Sequence, residues 1–223
     1  MTRDLIIIGA GGFGRETLDV VEAMNAIDGQ AKYRVVGIVD DALGEVAGAR
    51  LAARGYAHIG GLDEWLVGDP TADFIIAIGS PAARASIARR VEGPNRRAAT
   101  LIHPSALIGS EAQIAEGVVV CAGVNISTNV TLGRHVHLNP SAVVGHDAIL
   151  SDFVSVNPAA VVSGDVVVES CVLIGAGAVV LQGLVVARGT IVGASACVTR
   201  NSAPDSVLVG VPARPLALNE ASR

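Results

Sequence analysis

The chain has 223 residues and a net charge of −5, with 51% hydrophobic, 17% charged and only 3% aromatic residues. The acidic balance and the lack of any Lys/Arg run exclude a nucleic-acid or anionic-membrane surface as its main role. No apolar stretch reaches membrane-spanning length, and no signal peptide is expected ahead of the first strand. The three isolated cysteines, Cys121, Cys171 and Cys197, lack CxxC spacing, so free thiols and a cytoplasmic location are expected.

Leu5 to Ile8 predicts a short buried strand, followed at once by Gly9-Ala10-Gly11-Gly12-Phe13-Gly14 and a helix running to about Ala26. A second strand, Arg34 to Val39, ends in Asp40-Asp41. A third, Asp73 to Ile78, ends in Gly79-Ser80-Pro81 and leads into a helix from Ala82 to Val91. Strands alternating with helices predict a small parallel α/β unit, a Rossmann-like βαβ domain over residues 1–98. Glycines 9, 11 and 14 form GxGxxG between strand and helix, where a phosphate can approach backbone N–H groups at a helix N-terminus. The same glycines would also suit a plain strand–helix turn. The unit holds about one of the two halves a dinucleotide fold needs, so a nucleotide-sugar or mononucleotide site is expected, not a redox cofactor site. The pairs Arg89-Arg90 and Arg96-Arg97 read as solvated surface.

From Ile102 to Val198 every sixth residue is Ile, Leu or Val, seventeen times in succession. A period of six fits neither a helix nor an ordinary strand. It fits short strands joined by tight corners, three hexads closing an 18-residue coil and coils stacking at about 4.8 Å. Residues 99–203 are therefore expected to form an all-β left-handed parallel β-helix, and 204–223, with Pro204, Pro212 and Pro215, an extended C-terminal cap. Five of the six aromatics precede residue 100, because a narrow coil interior accepts Val and Ile but few rings.

Polar residues suited to chemistry concentrate between Arg134 and Ser155. His146 falls two places after the inward Val144, near a corner, where a neutral imidazole can take a proton from an amine or hydroxyl. Asp147 follows directly. Gly164 lies 18 residues on, which puts a bare backbone N–H one coil beneath His146 as a donor for a thioester oxyanion. His58 and His135 read as solvated bystanders, His103 as a cap on the first coil, and His137 as a face residue.

The GAGGFGRE opening, the IVDD strand end, the IAIG strand followed by Arg84, the IHPSA entry, the hexads, Asn139-Pro-Ser-Ala-Val-Val-Gly-His146-Asp147 and Gly210-Val-Pro-Ala-Arg-Pro215 together resemble the sugar O-/N-acyltransferases related to PglD and NeuD. The resemblance covers essentially the whole chain. It implies a homotrimer with active sites between subunits, acetyl-CoA as co-substrate along the solenoid, no metal, and a nucleotide-linked amino sugar held by the N-terminal domain. His146 matches the general base, Asp147 its acidic neighbour and Asn139 an Asn ahead of the active coil. Ser155, Gly164, Ala176 and Ala194 fall among the cofactor-binding positions. Gly11, Gly12, Phe13, Asp40, Asp41 and Ser80 fall where the nucleotide sugar would be held. Phe13 and Ser155 stand where related chains often carry His, which puts the identity of the acceptor in doubt.

The leading expectation is acetyl transfer to the 4-amino group of a nucleotide-linked deoxysugar, without a covalent acyl-enzyme, since no cysteine lies near the His motif. O-acetylation of a sialic-acid-type hydroxyl is the alternative. A γ-type carbonic anhydrase would need a His pair five residues apart, and the five histidines contain none. A non-catalytic nucleotide-sugar-binding trimer is the third reading.

Overall fold

A computed structural model of the chain describes residues 2–27, 31–68, 71–93 and 96–216. Strands β1 (Arg3–Ile8), β2 (Tyr33–Val39) and β3 (Asp73–Ile76) form a parallel sheet in the order β2–β1–β3. Helices α1 (Gly12–Asn25) and α4 (Pro81–Val91) match the expected pair. Two short helices, α2 (Glu45–Ala52) and α3 (Leu62–Gly68), complete the unit. Each buries little more than one anchor, Leu51 in α2 and Leu62 with Trp65 in α3, which is too sparse to show as a period in the sequence. β3 stops two residues before the expected Ile78. The carbonyls of Ile78 and Gly79 turn away from the ladder to accept hydrogen bonds from Arg84 Nη1.

Residues 101–198 form seventeen two-residue strands, one per hexad. They pair in parallel at a separation of 18, as in Leu138 with Val156 and Val144 with Val162. These seventeen strands stack six, six and five to a face, the three faces of a left-handed parallel β-helix. From Val120 onward the hexad aliphatics are the interior, with Val120, Leu138, Val156, Ile174 and Val192 lining the first face at 0% exposure, whereas Ile108 in the first coil is 42% exposed. Each such burial is worth about 1.5–3 kcal/mol. A second period of six runs through the corners. Asn129, His135, Ser141, Asp147, Phe153, Ala159, Asp165 and Cys171 all have φ between 55° and 62°, and Gly177, Gly183 and Gly189 continue the series. This left-handed residue turns the chain from one face to the next, where Gly, Asn and Asp are tolerated best.

After Val198, in the segment expected as an extended cap, the chain adds to the first face. Val207–Val209 adds a parallel strand to the first face with Val192 opposite Leu208, a step of 16 instead of 18. Arg214–Pro215 then folds back antiparallel on it. The missing aliphatic at Pro204 marks this shortened coil.

The boundary near residue 98 is continuous. Phe74 N donates to the Arg97 carbonyl and Ala99 N to the Phe74 carbonyl, so residues 97–99 run along the edge of β3 directly into the solenoid. The N-terminal unit lies on the first face. Phe13 stacks on His137 with ring centroids 4.5 Å apart, and His135 stacks on Phe153 at 5.3 Å. His135 is therefore no solvated bystander: it is fully buried, and its Nε2 pairs with Glu92 Oε1 at 2.8 Å. Arg84, also fully buried, ties the two parts together. It donates to Ile78 and Gly79 on one side and to the carbonyls of His135 and Phe153 and the Ser155 hydroxyl on the other. Arg96 likewise departs from the surface reading, since it donates to the Leu66 carbonyl and lies over the Trp65 ring.

Candidate active site

Two separate regions carry the candidate residues. The first is the C-terminal edge of the small sheet. Gly9 follows β1 with φ 113°, and an added Cβ there would meet the Ala77 carbonyl at 2.8 Å. Gly11 caps α1, and a Cβ at Gly11 or Gly12 would meet nothing within 4 Å, so the helix N-terminus is open to a ligand. The Asp40 carboxylate accepts from Ala10 N at 2.7 Å and Ala42 N at 2.9 Å, while Asp41 accepts from Leu62 N at 2.6 Å. Both acids thus hold the loops that frame the cleft. Ser80 caps α4 through Ala83 N. An apolar recess of about 150 Å³ between Ile8, Asp40, Leu62 and Ile78 opens beside a wider one of about 490 Å³ lined by Asp40, Asp41, His58 and Glu64. His58, read as a bystander, is part of this wall, its Nε2 3.0 Å from the Asp40 carbonyl. Phe13 forms the side of the turn that faces the solenoid, its ring resting on buried His137.

The second region is the corner 145–148. Asp147 has φ 59°, and this left-handed turn brings its carboxylate back onto the preceding side chain: His146 Nδ1 lies 2.7 Å from Asp147 Oδ2. An extended strand would have pointed the two apart. Asn129, one coil above, donates to Asp147 Oδ1 at 3.0 Å. Hydrogen bonds from His146 and then Asn129 hold the Asp147 carboxyl below its usual range, so it stays ionised. An ionised carboxylate only accepts, so Nδ1 carries the hydrogen and the Nε2 lone pair is free. His146 is 59% exposed. Its ring lies over Gly164, where an added Cβ would sit 2.6 Å from Nε2. The Gly164 amide donates to no acceptor among the described residues. His146, Asp147 and Asp165 each bring one ligand atom within 4.8 Å of the others, a spacing that would also suit a cation.

Other expected site residues lie elsewhere. Ser155, placed among the cofactor contacts, is 1% exposed beneath the N-terminal unit, where it accepts from Arg84 and donates to the Gly79 carbonyl at 3.1 Å. Its hydroxyl is committed to the junction. Asn139 is 8% exposed and donates to the Val156 carbonyl, so its amide serves the coil wall. Ala176 and Ala194 are exposed at the corner joining the first and second faces, whereas His146 joins the second and third. The N-terminal unit covers the first face, so His146 occupies the vertex opposite it. Within one chain the cleft at the small sheet and the His146 corner stand on opposite sides of the prism.

The family model of the PglD N-terminal domain matches residues 4–91. GDP-perosamine N-acetyltransferase of Escherichia coli O157:H7 is 30% identical over 152 residues, 67% of this chain and 65% of that protein, so the match spans just under two thirds of the relative's length. Among solved structures, PerB from Caulobacter crescentus in complex with CoA and GDP-perosamine superposes with a TM-score of 0.84 at 29% identity, covering 96% of this chain and 97% of that one. The acetyltransferase domain of PglB from Neisseria gonorrhoeae FA1090 gives 0.82 at 30% identity, covering 96% and 100%. With an N-terminal unit that matches the family model and a full-length structural match at 30% identity, the chain belongs to the PglD/NeuD-like family of sugar O-/N-acyltransferases.

Proposed function

We propose that the protein transfers the acetyl group of acetyl-CoA to the amino group of a nucleotide-linked amino-deoxysugar, with His146 as general base. The observation that carries this reading is the His146–Asp147 pair seated on Gly164. Nε2 takes a proton as the sugar nitrogen attacks the thioester carbon. The C–N bond forms, the C–S bond breaks, and the proton passes from the imidazolium to the departing thiolate. The Gly164 N–H donates to the oxyanion that forms between these steps. Relatives that carry the names and ligands of GDP-perosamine N-acetyltransferases support the amine acceptor and CoA.

Because His146 lies at the vertex opposite the nucleotide cleft of its own chain, the site is completed by a neighbouring subunit. Gly11, Gly12, Phe13 and Ser80 of one chain meet His146 of the next. The second face carries partly exposed Val143, Val161 and Val179, and the third carries Ile149 at 45% exposure with Val167 and Val185. Apolar columns on two faces suit a threefold assembly of three 22.5 kDa chains. Ala176 and Ala194 then line the CoA arm across the interface. The three free thiols fit the cytoplasm.

Thiol release from acetyl-CoA across UDP-, dTDP- and GDP-linked 4-amino sugars and free sialic acid tests the reading. Turnover with a nucleotide amino sugar is expected. Turnover on the hydroxyl acceptor alone would move the assignment to O-acetylation, and silence with every acceptor would favour a binding protein.

A further inference from the structure

The corner that holds His146 is one level of a vertical column. Glu111, Asn129, Asp147 and Asp165 have φ of 58°, 59°, 59° and 57°, each 18 residues below the last, and Gly183 ends the series. Like charges directly stacked one coil apart repel, and above Asp147 the repulsion is avoided by the neutral Asn129, which donates to it. Below Asp147 it is not avoided. The Asp165 carboxylate lies within 4.8 Å of the Asp147 oxygen and the His146 ring nitrogen, and its side chain has no hydrogen bond or ion pair among the described residues. The Asp165 backbone is fixed, its N–H donating to the His146 carbonyl at 2.9 Å. Asp147 and Asp165 are the charged groups at this corner. Thr128 and Asn129 above it and Ser163 and Gly164 below it are neutral.

Two anions beside one imidazole are relieved when that imidazole carries a proton. We infer that Asp165 is a positioning residue of the base, a second carboxylate that stabilises the His146 imidazolium formed as the substrate nitrogen loses its proton. This rests on the reading of His146 as the base. It assigns to Asp165 an electrostatic role through His146, separate from the hydrogen bond that Asp147 makes. The proton balance is that of the transfer itself: nitrogen gives one proton to His146 and His146 gives it to sulfur.

Asp165→Asn tests it, because Asn keeps the shape and tolerates the left-handed backbone while removing the charge. With the two groups no more than 4.8 Å apart, the attraction lost in a water-like dielectric predicts a fall in kcat/KM of at least about fourfold at low salt. The fall should shrink to about twofold near 0.15 M salt, where screening acts over roughly 8 Å. The acidic limb of the pH–rate profile should move down by about half a unit. The KM for acetyl-CoA and the melting temperature should stay at their wild-type values, which separates charge from structure. His146→Gln is the companion. If it retains turnover, the base reading itself fails. If it is inactive while Asp165→Asn matches wild type in rate, salt response and pH limb, the role of Asp165 is overturned.

Discussion

Gly164→Ala perturbs the proposed base while leaving its own side chain unaltered. A Cβ at 164 would stand 2.6 Å from both His146 Cε1 and Nε2 and 3.0 Å from Nδ1, with no positive φ to strain the new residue. Carbon contacts settle near 3.5 Å, so the ring must withdraw by roughly 1 Å. His146 is more than half exposed, so the withdrawal is a side-chain swing costing about 0.5–1.5 kcal/mol and not a break in the coil. The swing lengthens the 2.7 Å contact with Asp147 and carries Nε2 off the Gly164 amide. A misplacement of about 1 Å costs on the order of 100-fold in rate. Steady-state kcat, the KM for acetyl-CoA and thermal melting on the same preparation give the answer. Turnover within about twofold of wild type would refute the argument, since it would mean that the seat on Gly164 does not set the base.

Three more outcomes follow from the junction and the assembly. Burial lowers the folded pKa of His137 well below 6.5, and burial lowers that of His135 despite its bond to Glu92, so the unfolded chain binds protons first as pH falls. Stability should be fully present above about pH 6.5 and decline below it by up to ~1.4 kcal/mol per unit and group, with His137→Leu flattening the slope; a flat wild-type profile from pH 8 to 5.5 would contradict this. Arg84, its pKa lowered to about 9 by burial, has only neutral acceptors, and Arg84→Met leaves their carbonyls dry. Denaturant unfolding should report a loss of about 1–3 kcal/mol for each carbonyl left without a donor, and a loss under about 1 kcal/mol in all would show the clasp to be dispensable. Co-expressing His146→Gln with Gly11→Trp, each inactive alone, should restore about a quarter of the sites when subunits mix at random, whereas sites built within one chain would stay dead.

The solenoid was legible because its period of six admits one architecture, and from Val120 to Val198 each aliphatic that keeps that period is at most 1% exposed. The His146 corner was legible from the same count. The junction was not. His137 and Ser155 occupy the outward position of their hexads, 18 apart on the first face, which faces solvent in a bare coil. Only docking of the N-terminal unit makes them interior, and one sequence does not say which face is covered. A signal was present in Val119, an apolar residue in that same column, and in Phe13 at the glycine turn. The count also did not reveal that Asn139 turns its amide into the coil wall, where it donates to the Val156 carbonyl. The return strand at Val207–Val209 was missed because a 16-residue step breaks the period that revealed the rest.

The most direct test is mass-detected acetyl transfer to a GDP-linked 4-amino-4,6-dideoxysugar by wild type and His146→Gln, with CoA binding measured on both. The account predicts retained CoA binding and a rate lower by roughly 100- to 10,000-fold in the variant. A variant rate near wild type would show that His146 is not the base and would contradict the account.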